Sequence, residues 1–530
     1  MITTNNQPIN IKKPVLTGFY KLSIGILFLM IVALYTFFDK GSTPQLTLLI
    51  FATVVGGYMA INIGANDVAN NMGPAVGSKT LTLVGAIIIA AIFESSGALI
   101  AGGDVINTIK KGIIEPGLIA DTQTFIWIML AALLGGALWV HLATALGAPI
   151  STTHSIVGGV MGAGIAASGW TIVNWPMMAK IAASWVISPI LGGLIAALFL
   201  YIIQARIFHQ EETLEAAKKI VPYLIAIMGF AFVVYLALKG IKKLIKIDMP
   251  TALMIGAIFS VLTYFMVKPF IMKASQQLSN EKDDINKLFT LPLIFAVALL
   301  SFAHGANDVA NAIGPLAAIY EALQSGLIAK KAQIPVWIMV VGAFGIAIGL
   351  ATYGPKLIKT VGSEITELDQ TRAWSIAMSS AFVVIIASWL GLPVSSTHIA
   401  IGGVFGVGYL RYYLYQQYEN EVEGVKAHHV KSINHKITKW SGKLEGLVNE
   451  TEKEHLQKRI AAKQQELGNM DTNQIKFSKK EIKKLAKIEK RQYVKHGLLI
   501  KIIAAWLITV PVSAFMGAMI YLALVWNFGV

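Results

Sequence analysis

The feature that most constrains this chain is a series of about eleven apolar segments, each long enough to cross a bilayer as a helix. They lie near residues 15–38, 45–63, 81–103, 124–147, 178–204, 218–240, 250–271, 288–304, 335–355, 372–391 and 498–527. The chain is 55% hydrophobic and 14% charged, and a soluble domain could not bury so much apolar surface. The sequence therefore predicts an all-α protein that spans the membrane many times.

Composition excludes several classes of function. The chain has no cysteine, which excludes disulfides, thiol catalysis and cysteine-ligated metals. Its net charge of +15 does not indicate nucleic-acid binding, because basic loops are what the positive-inside rule expects of a membrane protein. Residues 15–38 are too long for the apolar core of a signal peptide and are interpreted as a retained span. The lipid bilayer is thus the first partner that the sequence predicts.

The sequence contains an internal repeat. GANDVANNMGP at 64–74 returns as GANDVANAIGP at 305–315, and GAPISTTHSIVGGVMGAG at 147–164 returns as GLPVSSTHIAIGGVFGVG at 391–408. KIAASW at 180–185 returns as KIIAAW at 501–506, at a larger spacing than the other pairs. The two halves share one plan, and the second half carries an insertion before its last span. This insertion, residues 411–497, contains 19 Lys+Arg and 11 Asp+Glu.

These features divide the chain into segments with separate expectations. The expected order is an N-terminal extension with an extra helix (1–44), repeat 1 (45–205), connecting helices (206–287), the first part of repeat 2 (288–410), a solvated basic insert (411–497) and the last helix (498–530). Basic charge places the N-terminus and the insert in the cytoplasm and the C-terminus outside. The segments at 147–164 and 391–408 either cross the membrane or re-enter it. If they cross, the repeats are inverted, as in many secondary transporters.

Two aspartates, Asp67 and Asp308, stand inside the GANDVAN motifs at the ends of apolar runs. A carboxylate at this depth is costly and persists where it faces a partner, an ion or a cavity. Helical spacing brings neighbouring asparagine oxygens to the same side, and such hard oxygen ligands suit Na⁺ or a proton. The glycines and prolines of the motifs predict that each helix breaks there. The residues concerned are Asn66, Asn70, Gly64, Gly73 and Pro74, and in the second copy Asn307, Asn311, Gly305, Gly314 and Pro315.

The hydroxyl runs form the second constellation. A proline precedes each run and a Gly-Gly pair follows it, which predicts a half-helix that begins near the hydroxyls. The N–H groups and positive dipole end of such a helix, together with the hydroxyls, make an oxyanion cradle. Capping or helix packing is the structural alternative for these hydroxyls. The runs are Ser151, Thr152, Thr153 and His154, and Ser395, Ser396, Thr397 and His398.

Some polar residues occur in one half only. Glu94 is a lone acid inside a span, and we expect it to act in coupling or gating, with structural pairing as the alternative. His304 precedes the second GAND motif, where Ile63 stands in the first. A serine hydrolase is disfavoured, because Ser151 and His154 lie three residues apart without a G-x-S-x-G elbow. The chain is accordingly expected not to be an enzyme.

The chain resembles the PiT family of inorganic phosphate transporters. The resemblance rests on GANDVANNMGPAVGS (64–78), FESSGALIAGG (93–103), PISTTHSIVGG (149–159), KIAASWVISP (180–189), FAHGANDVANAIGPLAAIY (302–320), PVSSTHIAIGG (393–403) and KIIAAWLITVPVS (501–513). It implies inverted repeats, two broken helices and a phosphate site between the hairpins. The span at 15–38 and the position of the 411–497 insert depart from the family pattern.

The resemblance also implies roles for single residues. Phosphate-site residues would be Ser151, Thr152, Thr153, Ser395, Ser396, Thr397, Asn70 and Asn311. Cation ligands would be Asp67, Asn66, Asp308 and Asn307, with Na⁺ at the two aspartates and Glu94 at a position where the family has an acid important for transport.

The function that the resemblance implies is import of inorganic phosphate across a plasma or bacterial inner membrane. With two intact GANDVAN motifs the chain looks more like the Na⁺-coupled branch of the family, so the resemblance favours Na⁺ over H⁺ as the coupling ion, and no other cofactor is expected. A permease for another oxyanion such as sulfate, and a cation exchanger with duplicated acidic motifs, are the alternatives. A homodimer remains an alternative to a monomer.

Overall fold

The structure is a computed structural model that describes residues 16–240, 247–328, 334–358, 368–444, 450–471 and 496–528. Within these ranges the secondary structure is helical apart from one isolated bridge between Ile114 and Val173. The all-α prediction is confirmed. The described chain forms two compact units, one within 1–407 and 495–530 and the other within 408–494.

Sixteen α-helices are described in these ranges. They are α1 (Leu16–Asp39), α2 (Leu46–Gly77), α3 (Leu83–Ala101), α4 (Gly103–Lys111), α5 (Thr122–Leu146), α6 (Thr152–Ser168), α7 (Trp175–Ile203), α8 (Thr213–Lys239), α9 (Met249–Ala274), α10 (Lys282–Lys287), α11 (Thr290–Ser325), α12 (Val336–Thr352), α13 (Gln370–Trp389), α14 (Ser396–Leu444), α15 (Glu450–Asp471) and α16 (His496–Phe528).

Ten helices in the described chain are long and apolar enough to cross a membrane. They are Phe19–Asp39, Leu46–Gly77, Leu83–Ala101, Thr122–Leu146, Trp175–Phe208, Thr213–Lys239, Met249–Gln277, Lys282–Ser325, Gln370–Trp389 and Ile503–Phe528. The eleventh expected segment, 335–355, corresponds to the shorter apolar helix α12 of 17 residues. The prediction of a protein with many spans is confirmed.

The long helices α2 and α11 do not break at the GANDVAN motifs. Helix α2 continues through Pro74 to Gly77, and α11 continues through Pro315 to Ser325. The expected helix breaks, and the expected ends of these spans at 63 and 304, are therefore wrong. A proline inside a membrane helix is tolerated when neighbouring groups satisfy the freed carbonyl.

The motif glycines instead allow neighbouring helices to touch. A Cβ atom on Gly64 of α2 would overlap the carbonyl of Ile346 on α12, and a Cβ on Gly349 of α12 would overlap the carbonyl of Ile61 on α2. Only glycine permits this close approach of two backbones. The α2–α12 crossing thus depends on one glycine from each helix.

The same crossing occurs between α11 and α3. A Cβ on Gly305 would overlap the carbonyl of Glu94, and a Cβ on Gly97 would overlap the carbonyl of Phe302. Gly305 is the repeat equivalent of Gly64, and Phe302 that of Ile61. The matching contacts therefore make Glu94 on α3 the structural equivalent of Ile346 on α12.

The two half-helices pack against the final helices of the repeats. Gly158 and Gly162 of α6 lie against α16, whose Val510 and Ala514 carbonyls a Cβ would meet. In the same way, Gly402 and Gly406 of α14 lie against Pro189 and Gly193 of α7. Each half-helix thus packs on the closing helix of the other half, which interlocks the two repeats.

The remaining helices surround this core. Helices α8 and α9 pack on each other, with Gly256 of α9 against Phe230 and Val234 of α8. Helix α1 contacts α2 at Gly57 through Phe28 and Leu29.

The unit within residues 408–494 contains most of α14 and all of α15. There the Arg459 guanidinium lies 4.6 Å from the centre of the Trp440 ring.

We expect Gly349→Ala to destabilise the folded protein by about 1–3 kcal/mol or more, because the added methyl group would overpack the α2–α12 crossing. Thermal unfolding of the detergent-solubilised protein measures this effect. Gly103→Ala is the matched control, since a Cβ on Gly103 has no neighbouring atom within 4 Å. Equal melting temperatures for the two variants would contradict the close-packing role of Gly349.

Candidate functional site

The two long helices carry the aspartates into the protein interior. Asp67 and Asp308 are each 1% exposed, and so are Asn70 and Asn311, one helical turn further along. Because residues three apart share a helix face, each aspartate lies beside the asparagine of its own motif. The two helices thus present matching pairs of polar side chains.

The two half-helices begin where the hydroxyl runs predict. Ser151 caps α6 through its hydroxyl, which accepts a hydrogen bond from the backbone N–H of His154 at 3.0 Å. The hydroxyl of Ser395 accepts from the backbone N–H of His398 at 3.3 Å in the same way. The predicted N-termini are confirmed, and they bring Thr152 and Ser396 to the first turn. Helix α6 is short, with 17 residues, whereas α14 continues as one helix of 49 residues to Leu444, beyond the expected half-helix.

Asn66 fastens the loop before α6 to the long helix α2. Its amide nitrogen donates to the Thr144 hydroxyl at 2.9 Å and to the Ala148 carbonyl at 3.2 Å. Its amide oxygen accepts from the backbone N–H of Ile150 at 3.2 Å. Both ends of the amide are therefore bonded to the loop.

Asn307 does the same in the second repeat. It donates to the Ser388 hydroxyl at 2.9 Å and to the Leu392 carbonyl at 3.3 Å, and it accepts from the backbone N–H of Val394 at 3.4 Å. The cation-ligand role expected of Asn66 and Asn307 stays a prediction. In the structure the two amides hydrogen-bond to the loops that precede α6 and α14.

Each aspartate receives a hydroxyl from the half-helix of its own repeat. The Thr152 hydroxyl donates to Oδ2 of Asp67 at 2.8 Å, and the Ser396 hydroxyl donates to Oδ2 of Asp308 at 3.3 Å. These residues occupy equivalent positions in the two runs. Hydroxyl donors thus stabilise both carboxylates in the buried site.

Other contacts cross from one repeat to the other. The Asn311 amide donates to the hydroxyl oxygens of Thr152 and Thr153 at 3.2 and 3.1 Å, and the Asn70 amide donates to Thr397 at 2.7 Å. The Thr397 hydroxyl lies 3.2 Å from Oδ1 of Asp67. The site is therefore built jointly by the two repeats.

Several oxygen atoms at the site accept no hydrogen bond within the described chain. Among them are Oδ1 of Asn70, Oδ1 of Asn311 and Oδ1 of Asp308, all of them buried. Buried acceptors without a donor attract a cation or a ligand that carries protons. Ligand atoms of Asp67, Asp308 and His304 lie within 4.8 Å of one another, close enough to surround one ion. The donor set is thus compatible with a bound cation.

Glu94 reaches the site through His304, and both side chains are fully buried. The Asn71 amide donates to Oε1 of Glu94 at 2.7 Å, and Nδ1 of His304 lies 3.4 Å from the same oxygen. On its other side, Nε2 of His304 lies 2.9 Å from Oδ2 of Asp308. The sequence singled out Glu94 and His304 separately, and the structure brings them together.

The histidines of the hydroxyl runs face each other. The ring centres of His154 and His398 lie 4.4 Å apart, and each ring also packs on a tryptophan, Trp185 for His154 and Trp506 for His398. The hydroxyl of Ser151 bonds to the backbone of His154 and not to its ring. These two residues therefore do not form a nucleophile–base pair.

The anchors of the two loops were not predicted from the sequence. Thr144 and Ser388 receive the Asn66 and Asn307 amides, and they lie at the spacing that separates the hydroxyl runs. A polar residue at matching positions inside two apolar spans is the signal that could have revealed them. Trp185 and Trp506 recur in the same manner in the KIAASW and KIIAAW segments.

The chain is similar to known proteins over most of its length. Residues 63–517 match the family described as the phosphate transporter family. A protein of Helicobacter pylori (strain J99), named as an inferred phosphate permease, is 49% identical over 513 residues, which cover 95% of each chain. A protein of Thermococcus kodakarensis with the same kind of name is 41% identical over 363 residues, covering 68% of this chain and 89% of the relative.

A solved structure is also similar. It is described as the sodium-dependent phosphate transporter, with a TM-score of 0.72 and 32% sequence identity, and the match covers 91% of this chain and all of that one. The resemblance found in the motifs is confirmed by these comparisons. The chain belongs to the phosphate transporter family.

Proposed function

We propose that this protein imports inorganic phosphate across a cell membrane together with a cation, and that the cation is Na⁺ rather than H⁺. One observation carries the proposal: two half-helix N-termini, each with its hydroxyls, converge on two buried aspartates. The carboxylates repel an anion that binds alone, and a cation bound to the carboxylates removes this repulsion. Coupling follows from this shared site.

The hydroxyls and helix ends form the phosphate part of the site. A helix N-terminus attracts anions through its free N–H groups and its dipole. The Asn70 and Asn311 amides and the Thr153 and Thr397 hydroxyls add donors that can turn toward phosphate oxygens. Phosphate binding here requires no buried arginine or lysine.

The aspartates form the cation part. Asp67 and Asp308 are buried, and a phosphate anion beside them adds further negative charge in a medium of low polarity. A cation on each carboxylate offsets that charge, so cation binding favours phosphate binding. Carboxylate and amide oxygens suit Na⁺. The sodium-dependent solved relative supports the same ion.

Uptake of labelled phosphate into proteoliposomes tests the proposal directly. We expect uptake when an inward Na⁺ gradient is imposed and little uptake with a pH gradient alone. Sulfate in excess should compete weakly with phosphate. Absence of phosphate uptake under both gradients would refute the proposed function. Uptake with the pH gradient alone would show that the coupling ion is H⁺ and not Na⁺.

Asp67→Asn and Asp308→Asn should each abolish coupled uptake while the protein remains in the membrane, because a neutral amide cannot balance the cation charge. Asp248→Asn is the matched control, since Asp248 is an exposed N-cap of α9 and asparagine caps helices equally well. Uptake and membrane content are measured together. Near-normal uptake in both site variants would show that the two aspartates have a structural role and do not take part in coupling.

Thr153→Val and Thr397→Val should each raise the KM for phosphate about tenfold, because a lost hydrogen bond to a charged group costs about 1.5–3 kcal/mol. Thr263→Val is the control, since the Thr263 hydroxyl only donates to the Phe259 carbonyl within α9. Initial rates of phosphate uptake at saturating Na⁺ provide the KM. An unchanged KM in both site variants would remove these hydroxyls from the phosphate site.

A further inference from the structure

The two repeats differ at three buried positions around the aspartates. His304 on α11 corresponds to Ile63 on α2, and Asn71 on α2 corresponds to Ala312 on α11. The glycine crossings described above make Glu94 on α3 the equivalent of Ile346 on α12. All six side chains are completely buried. The three polar residues, two from repeat 1 and His304 from repeat 2, therefore all have apolar repeat equivalents.

The three polar residues form one connected network of polar side chains, called the polar network below. Asn71 donates to Glu94 at 2.7 Å, Glu94 lies 3.4 Å from Nδ1 of His304, and Nε2 of His304 lies 2.9 Å from Asp308. The polar network thus extends from α2 through α3 to α11 and ends at a single aspartate. Oδ2 of Asp67 is farther from Nε2 of His304, at 3.9 Å.

Packing alone does not require these polar side chains. Ile63, Ala312 and Ile346 occupy the equivalent positions in the hydrophobic core of the same protein, and the same helix crossing forms around them. A buried carboxylate costs free energy that an aliphatic side chain does not. Glu94 is therefore a costly choice at a position that an isoleucine can fill.

The polar network makes the surroundings of the two aspartates unequal. Asp67 has two hydroxyls within hydrogen-bonding distance, those of Thr152 and Thr397. Asp308 has the Ser396 hydroxyl at a longer distance and the His304 ring at a shorter one. The orientation of the Asp308 carboxylate thus depends on His304, and through His304 on Glu94.

We propose that Asn71, Glu94 and His304 are positioning residues that hold the Asp308 carboxylate ready for its cation, so that the two aspartates bind cations with unequal affinity. This inference rests on the proposed function and adds that Glu94 acts on Asp308 without touching the substrate. A carboxylate already held in place loses less conformational freedom when it binds an ion. Substitutions that interrupt the polar network should weaken cation binding and leave the phosphate contacts unchanged.

The test compares Glu94→Gln, His304→Gln and the double variant in proteoliposomes. We expect each single variant to raise the Na⁺ concentration for half-maximal phosphate uptake about tenfold, a typical coupling for residues in one network. The KM for phosphate at saturating Na⁺ should change less than about twofold. The double variant should resemble a single variant, because Glu94 and His304 act on Asp308 through the same polar network. Effects that multiply to about a hundredfold would show independent action and overturn the proposal.

A symmetrised variant keeps the proposal testable if the single variants do not fold or transport. Asn71→Ala, Glu94→Ile and His304→Ile together replace the three polar side chains by those of their repeat equivalents, which already pack in the core of the same protein. Its Na⁺ affinity is measured from the rise of the melting temperature with Na⁺ concentration, which needs no transport. The control is Ile63→Val with Ile346→Val, which should bind Na⁺ normally. We expect the symmetrised variant to bind Na⁺ about tenfold more weakly, and normal binding would overturn the proposal.

The same experiments separate this inference from the proposed function. If the unaltered protein takes up no phosphate, the proposed function fails. If it takes up phosphate with Na⁺ and the variants keep its Na⁺ dependence, only the proposed positioning role of the polar network is refuted.

Discussion

Three carboxylates buried among apolar helices, those of Asp67, Asp308 and Glu94, impose the main requirement on this fold. Each needs donors that an apolar helix does not supply. Hydroxyls at two helix N-termini and an asparagine amide provide hydrogen bonds, and the ring nitrogens of His304 lie 2.9 Å from Asp308 and 3.4 Å from Glu94. The half-helices and the tight glycine crossings are arranged so that these donors reach the carboxylates.

Local sequence features predicted the parts of the structure that depend on local interactions. The apolar segments predicted the helices, and Pro149 and Pro393 before the hydroxyl runs predicted where the half-helices begin. The expected break at Gly64 failed because glycine has two uses in membrane helices. It can weaken a helix, or it can let a second backbone approach. Only the position of Ile346, far along the chain, decides between them.

The side-chain contacts of the site depend on residues that are distant in sequence. Helical spacing predicted that the Asn66 amide would lie beside Asn70, with its oxygen on the side of the site, but the amide of Asn66 bonds to a loop about 80 residues away. The link between Glu94 and His304 spans a still larger separation. Comparing the two repeats gave the nearest signal, because it marked Glu94 and His304 as polar residues with no counterpart. It could not show that they touch.

The hydrogen bonds that cross between the repeats also bear on how the protein is made. A ribosome delivers the first repeat before the second, so Asp67 enters the membrane before Thr397 and Asn311 exist. Until then Asp67 lacks one of its two nearby hydroxyls, and Thr152 lacks the amide that donates to it. The arrival of the second repeat completes both. Assembly of the two repeats therefore completes the hydrogen bonds of the candidate site.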